Sequence, residues 1–163
     1  INGIMGSGAR LGIIPAGVSN VLARELGIDR SRDGAVRIIK AGRVRKIDLG
    51  IVNDRYFSLM VGIGFDAQAV KLANPAVKRY LKRYAYHLAG VRTVCFYRPR
   101  RFRIRVDGGR EYSAYAVIVS NAHYYGGSHQ VSPAARVDDG FLRLSLFQNG
   151  RRRDYLRYFY GVL

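Results

Sequence analysis

The sequence predicts a piece of an α/β layer followed by a mostly β domain with inserted helices. Three observations predict it. Leu11 to Ile14 is a short apolar run that leads through a Pro15–Gly17 turn into an amphipathic segment closed by Gly27, the pattern of a strand feeding a helix. From Arg43 the periodicity changes: Ile47, Leu49 and Ile51 alternate with Asp48, Gly50 and Val52, as in a strand. The residues before that change hold one clear strand, which cannot close a core alone. The boundary therefore falls at Ala41 to Arg43, dividing the chain into 1–42 and 43–163.

Taken in order, Asn2 and Gly3 read as the end of a helix and Met5 to Arg10 as a surface loop. Leu11 to Ile14 reads as a buried parallel strand. The next helix should start with Ser19 or Asn20 as its N-cap and stop at Gly27. A second, Asp33 to Ala41, would set Val36, Ile39 and the stem of Lys40 against the same layer, with Gly42 ending it. Asn53-Asp54 is a two-residue hairpin turn, and Tyr56 to Ile63 returns as the partner strand. Phe65 to Ala73 and Tyr84 to Val94 read as helices, with the basic stretch Val77 to Arg83 between them. Phe102, Ile104 and Val106 alternate with Arg101, Arg103 and Arg105, a half-buried strand with an arginine-bearing outer face. Glu111 to Ser120 and Phe141 to Phe147 are further strands, and Arg153 to Leu163 begins another helix.

Composition narrows the class. Lys and Arg total 28 against 11 Asp and Glu, and the formal charge of +17 should attract polyanions or an anionic membrane surface. Arginine clusters at Arg98, Arg100, Arg101, Arg103 and Arg105 and again at Arg151 to Arg153, although solvated faces in an Arg-rich chain would account for the same count. Ala114 to Val119 and the other apolar stretches are too short to span a bilayer. Ile1 opens directly into structured-looking sequence, so no secretory leader is expected. The lone Cys95 leaves no intramolecular disulfide or Cys-rich metal site, which suits a reducing cytoplasm, and it reads as a small buried apolar residue. No RNP-type aromatic signature or helix-turn-helix pattern is present, so no nucleic acid is expected as a partner.

The loop from Pro15 to Asn20 leaves backbone N–H groups and a helix N-terminus aimed at one spot, a natural seat for phosphate, although strand–Gly–helix junctions occur throughout α/β proteins. Downstream come Ile47-Asp48-Leu49-Gly50, Arg55-Tyr56-Phe57, Gly62-Ile63-Gly64-Phe65-Asp66-Ala67, Ser120-Asn121-Ala122, Tyr125-Gly126-Gly127 and Pro133 to Gly140. In this order and spacing the set resembles the soluble bacterial diacylglycerol kinase family, lipid kinases that share a catalytic core with sphingosine and ceramide kinases. The resemblance runs from about Ile1 to Phe147.

It implies the end of an α/β nucleotide-binding domain followed by a β-sandwich-like lipid-binding domain. It also implies a fragment: the family's Gly-Gly-Asp-Gly-Thr motif would lie upstream of Ile1, and the Asp-Gly-Glu motif with the catalytic base would lie beyond Leu163. No residue of the chain is therefore named as catalytic, and the fragment alone is expected to be inactive. By the same resemblance Gly17, Ser19 and Asn20 would sit beside ATP, with departures from the family pattern at Val18 and Val21. Asp66 and His123 would lie near the lipid-facing cleft. Asp66 also reads as a first-turn carboxylate stabilising a helix dipole, and His123 as a loop histidine. Gly62 and Gly64 would allow close backbone approach.

Asp138-Asp139-Gly140 suits a hard, oxygen-ligated cation, or equally an ordinary Asp-Gly turn. The resemblance implies a structural Mg²⁺ held by Asp139 with the carbonyls of Arg136 and Phe141. His87, His123 and His129 have no metal-ligand spacing. The expected function is ATP-dependent phosphorylation of a lipid hydroxyl, most simply that of diacylglycerol. The partners would be the lipid substrate and the anionic inner membrane surface, with the enzyme cytoplasmic and peripheral and a homodimer left open. The alternative is a non-catalytic basic module that binds anionic lipid or nucleic acid through Arg98 to Arg105.

Overall fold

The structure, a computed structural model, describes residues 1–17, 19–72, 97–126 and 129–155. The helix expected over Tyr84 to Val94, the basic stretch before it, Cys95, His87 and most of the helix expected from Arg153 lie outside the described residues. The architecture is mixed, mostly strands with a few helices. It divides into two compact units, Ile1–Val61 with Ser120–Arg143, and Gly62–Val119 with Leu144–Leu163.

The first unit opens on a 3-10 turn, Asn2–Ile4. Asn2 acts at a distance: its Nδ2 donates to the Tyr56 carbonyl at 3.0 Å and its Oδ1 accepts from the Tyr56 N–H at 2.7 Å. The carboxamide thus imitates a strand residue on an open edge. Leu11 to Ile14 does not form the expected strand, and Leu11 and Ile14 are exposed. An apolar run becomes a strand only where another strand supplies its ladder, and no described residue pairs with this one.

Helix α1, Val21–Glu25, follows. Its C-terminus is built as the glycine predicts: Gly27 takes φ +66°, its N–H donates to Arg24 O at 3.1 Å, and the Ile28 N–H donates to Ala23 O at 2.8 Å. These are the paired bonds of a Schellman ending. Helix α2, Arg32–Lys40, starts one residue before the expected Asp33 because Ser31 is the cap, its Oγ accepting from the Gly34 N–H at 3.0 Å. Gly34 and Ala35 are its buried residues, whereas Val36 and Ile39, expected against the layer, are exposed.

Strands β1 (Gly50–Val52) and β2 (Arg55–Phe57) form the expected hairpin, pairing Gly50 with Phe57, Ile51 with Tyr56 and Val52 with Arg55. Asn53 at φ 45° and Asp54 at φ 63° supply the two left-handed residues that a two-residue turn of this hand needs. The return strand does not run on to Ile63. It breaks at Ser58-Leu59 and resumes as β3, Met60–Gly64, in a different sheet.

Helix α3, Phe65–Leu72, leads from β3. The hairpin of β4 (Phe102–Arg105) and β5 (Glu111–Ala114) is antiparallel. Tyr115 interrupts the expected long strand, and β6 (Ala116–Ser120) continues it with different partners. Strands β7 (Tyr124–Tyr125) and β8 (His129–Gln130) pair antiparallel, and β9 is Arg143–Phe147. The largest sheet among the described residues has the order β3-β6-β9.

The core of the second unit is aromatic. Phe65 stacks on Tyr155 with ring centroids 4.8 Å apart, and Tyr97 meets both rings edge-on at 6.0 Å. Ala116 is buried with them, and Tyr115 and Phe147 pack alongside. Burial pushes the Tyr155 hydroxyl up to about 12, with Tyr97, Tyr115 and Asp154 adding to the shift. Gly64 explains why β3 can lie so close: at φ +91°, a Cβ there would come within 2.6 Å of the Tyr115 carbonyl. A Cβ on Gly62 would collide with the Asp66 carboxylate. Gly64 serves the close backbone approach expected from the sequence, whereas the near neighbour of Gly62 is a side chain.

Candidate functional site

The loop before α1 is held by its own side chains. Asn20 stands at the N-cap position in the left-handed region, φ 47°, but its side chain makes no bond to the helix N–H groups. Its Oδ1 accepts from the Gly17 N–H at 2.9 Å and its Nδ2 donates to the Gly17 carbonyl at 2.7 Å. Ser19 Oγ donates to the Gly126 carbonyl at 3.3 Å, joining this loop to the one after β7. Gly17, Ser19 and Asn20 are therefore brought together, with Asn20 acting as a clamp that sets the loop's shape.

Helix α1 delivers Glu25, whose side chain is only 2% exposed. Glu25 Oε2 accepts from the backbone N–H of His123 at 3.1 Å and, more weakly, from that of Tyr124 at 3.4 Å. Its Oε1 stands 2.6 Å from His123 Nδ1. A carboxylate can only accept, so this contact assigns the ring proton to Nδ1 and leaves Nε2 as the open ring nitrogen. Arg24 lies over the Tyr124 ring, 5.6 Å from its centroid. His123 is thus no free loop histidine; a buried carboxylate orients it.

Glu25 and His123 line a pocket of about 340 Å³ with Arg45, Arg136, Asp138 and the apolar Pro133, Ala134 and Val137. Asp138 accepts from Arg45 at 2.5 Å, and Arg136 Nε lies 3.7 Å away. The Arg45 hydrogen bond, followed by the charges of Arg45 and Arg136, holds the Asp138 carboxyl below the usual carboxylate range. The pocket combines an oriented imidazole, two guanidinium groups and an apolar wall.

The neighbouring turn tests the expected cation site. Asp139 Oδ1 accepts from the Phe141 N–H at 3.1 Å, and Oδ2 accepts from Arg143 at 2.7 Å. Asp48 Oδ2 accepts from the Gly140 N–H at 2.7 Å, so the turn is tied down from both sides. Arg143 already stands where a cation on Asp139 would stand. In this arrangement Arg143 supplies the positive charge beside Asp139, and a cation held by Asp139 with the carbonyls of Arg136 and Phe141 would have to displace that guanidinium.

Asp66 lies in the second unit, in the first turn of α3, and is 8% exposed. Its position suits a carboxylate at a helix N-terminus.

Three residues have structural roles that sequence reading did not assign. Glu25 and Arg143 find their partners only through the fold. Asn121 is fully buried, and its Nδ2 donates to the carbonyls of Asp48 at 2.8 Å and Ser58 at 2.9 Å while its N–H donates to Leu59 O at 2.7 Å. It stitches the segment before β1 to the break after β2. In the sequence Asn121 stands out only as part of the Ser120-Asn121-Ala122 motif, which says nothing of these hydrogen bonds.

The family described as diacylglycerol kinase catalytic domain matches residues 1–52, and the family described as YegS C-terminal NAD kinase beta sandwich-like domain matches residues 59–163. A relative in Chromohalobacter salexigens named "Probable lipid kinase YegS-like" is 33% identical over 140 residues, 85% of this chain and 45% of that protein. The protein named "Diacylglycerol kinase" in Mycobacterium tuberculosis is 32% identical over 164 residues, 96% of this chain and 53% of that one. The crystal structure of a diacylglycerol kinase from Bacillus anthracis str. Sterne matches with a TM-score of 0.63 at 25% identity, covering 90% of this chain and 48% of the other. The chain thus spans about half the length of the relatives it matches. Its fold is part of a diacylglycerol kinase catalytic domain followed by a YegS-type β-sandwich-like domain, and the chain belongs to the diacylglycerol kinase and YegS family of lipid kinases.

Proposed function

We propose that the protein carrying this chain transfers the γ-phosphate of ATP to the hydroxyl of diacylglycerol, making phosphatidic acid at the cytoplasmic face of an anionic membrane. Family membership implies ATP; the choice of diacylglycerol is supported by the M. tuberculosis relative's name. The observation that carries the reading is the coincidence of the catalytic-domain match over 1–52 with a loop, 15–20, shaped by its own side chains. Phosphoryl transfer is chiefly positioning and charge neutralisation. Gly17 and Ser19 border the nucleotide in this reading, and Asn20 positions the loop. Mg²⁺ enters as the companion of ATP, neutralising phosphate charge. His123, which Glu25 orients in the first unit, and Asp66, in the second, are each assigned to the lipid side in this reading.

The test is a phosphotransfer assay on the open reading frame that carries this chain, with labelled ATP, Mg²⁺ and diacylglycerol in mixed micelles. Labelled phosphatidic acid that depends on diacylglycerol is expected. Label in a different lipid overturns the substrate, and no lipid product overturns the activity. Residues 1–163 alone should give no product, because neither Gly-Gly-Asp-Gly-Thr nor Asp-Gly-Glu occurs among them.

A further inference from the structure

We propose that the outward face of the β4–β5 hairpin docks the protein on an anionic membrane surface. The proposal rests on the lipid-kinase reading in one respect: a substrate dissolved in a bilayer requires the protein to approach one.

The register sorts the hairpin into two faces. Phe102 opposite Ala114 and Ile104 opposite Tyr112 make the covered face, where all four are buried or half-buried. Arg103 opposite Ser113 and Arg105 opposite Glu111 make the other, and exposed Arg101 continues the row. At about 3.3 Å rise per residue, the three arginines span roughly 13 Å of one strand face. Arg98, Arg100 and Arg110 are exposed nearby, and the acids between 98 and 113 are Asp107 and Glu111.

The charges in the row are not equivalent. Arg105 is neutralised by Glu111, with Nη2 and Nε at 2.6 and 3.1 Å from one carboxylate oxygen. Arg101 and Arg103 form no ion pair with a described residue. A row of like charges within a Debye length of about 8 Å repels itself, and an opposing negative surface relieves that repulsion. The aromatic residues of the hairpin, Phe102 and Tyr112, belong to the covered face, so the outward face has no platform on which nucleic-acid bases would stack. The face fits a plane of anionic headgroups better than a strand of RNA.

The test measures binding of the chain to phosphatidylcholine vesicles with and without phosphatidylserine. Each unpaired arginine near such a surface is worth about fivefold in affinity, so Arg101→Gln with Arg103→Gln should weaken binding to the anionic vesicles about twenty-five-fold. Arg105→Gln should matter less, and Glu111→Gln, which releases Arg105, should strengthen binding about fivefold. Replacing exposed Arg152 and Arg153 by Gln removes the same charge elsewhere and should change binding less than twofold, about the scatter of such comparisons. Equal losses from both double variants, weakening by Glu111→Gln, or tighter binding to polyuridylate than to anionic vesicles would each overturn the proposal. The kinase reading fails separately: it falls if the full reading frame makes no phosphatidic acid from a short-chain, soluble diacylglycerol, a readout in which the hairpin variants should match the parent.

Discussion

Replacing Glu25 by Ala should be the most damaging single change in the pocket. The carboxylate is all but inaccessible and holds the His123 N–H, the His123 ring and the Tyr124 N–H at 3.1, 2.6 and 3.4 Å. Truncation leaves two backbone donors without that acceptor, each worth about 1–3 kcal/mol when buried and unpaired. It also releases the penalty of keeping a charge away from water, so the net loss should be about 3 kcal/mol, the low end for breaking a buried pair. In a chain of this size that is a fall in melting temperature of roughly 6–12 °C. Glu25→Gln keeps one side-chain oxygen as an acceptor and should lose only about 1 kcal/mol. The assay is thermal and urea unfolding of the parent, Glu25→Ala, His123→Ala and the double variant. The two single losses should be non-additive by at least about 1 kcal/mol, as expected for groups in direct contact. A fall for Glu25→Ala no larger than about 2 °C, or strictly additive losses, would refute the claim that this carboxylate organises the start of β7.

Two further outcomes follow from the neighbouring acids. The folded Asp138 carboxyl titrates below its unfolded value of about 3.9, so the Arg45 pair contributes fully above that pH and is lost as pH falls through the folded pKa. Asp138→Asn should therefore sit slightly below the parent in melting temperature at neutral pH and converge with it below about pH 4; a gap that persists at pH 2 (roughly two units beneath the unfolded value) would refute it. Because Arg143 satisfies Asp139, the parent's melting temperature should not respond to Mg²⁺, whereas Arg143→Gln should create such a response by freeing the carboxylate. A parent already stabilised by Mg²⁺ and insensitive to it after Asp139→Asn would restore the cation on this turn.

Local chemistry by itself determined the elements whose causes lie within a few residues. Gly27 ends α1 because only a left-handed residue closes its carbonyls, and Asn53-Asp54 turns the hairpin because both residues tolerate positive φ. The alternation of Phe102 and Ile104 with arginines settled which face of β4 is covered, since successive side chains must point to opposite sides. The family too was legible, because its motifs are short and keep their order along the chain. What only tertiary structure decided depends on partners far away in the chain. Leu11 to Ile14 has the composition of a strand yet no ladder partner among the described residues. Tyr56 to Ile63 and Glu111 to Ser120 each break in two because their halves pair with different strands. Glu25 meets His123 across 98 positions and Asn121 meets Asp48 across 73. A polar side chain's role is set by what the fold brings within hydrogen-bonding distance, and no periodicity in the sequence encodes that distance.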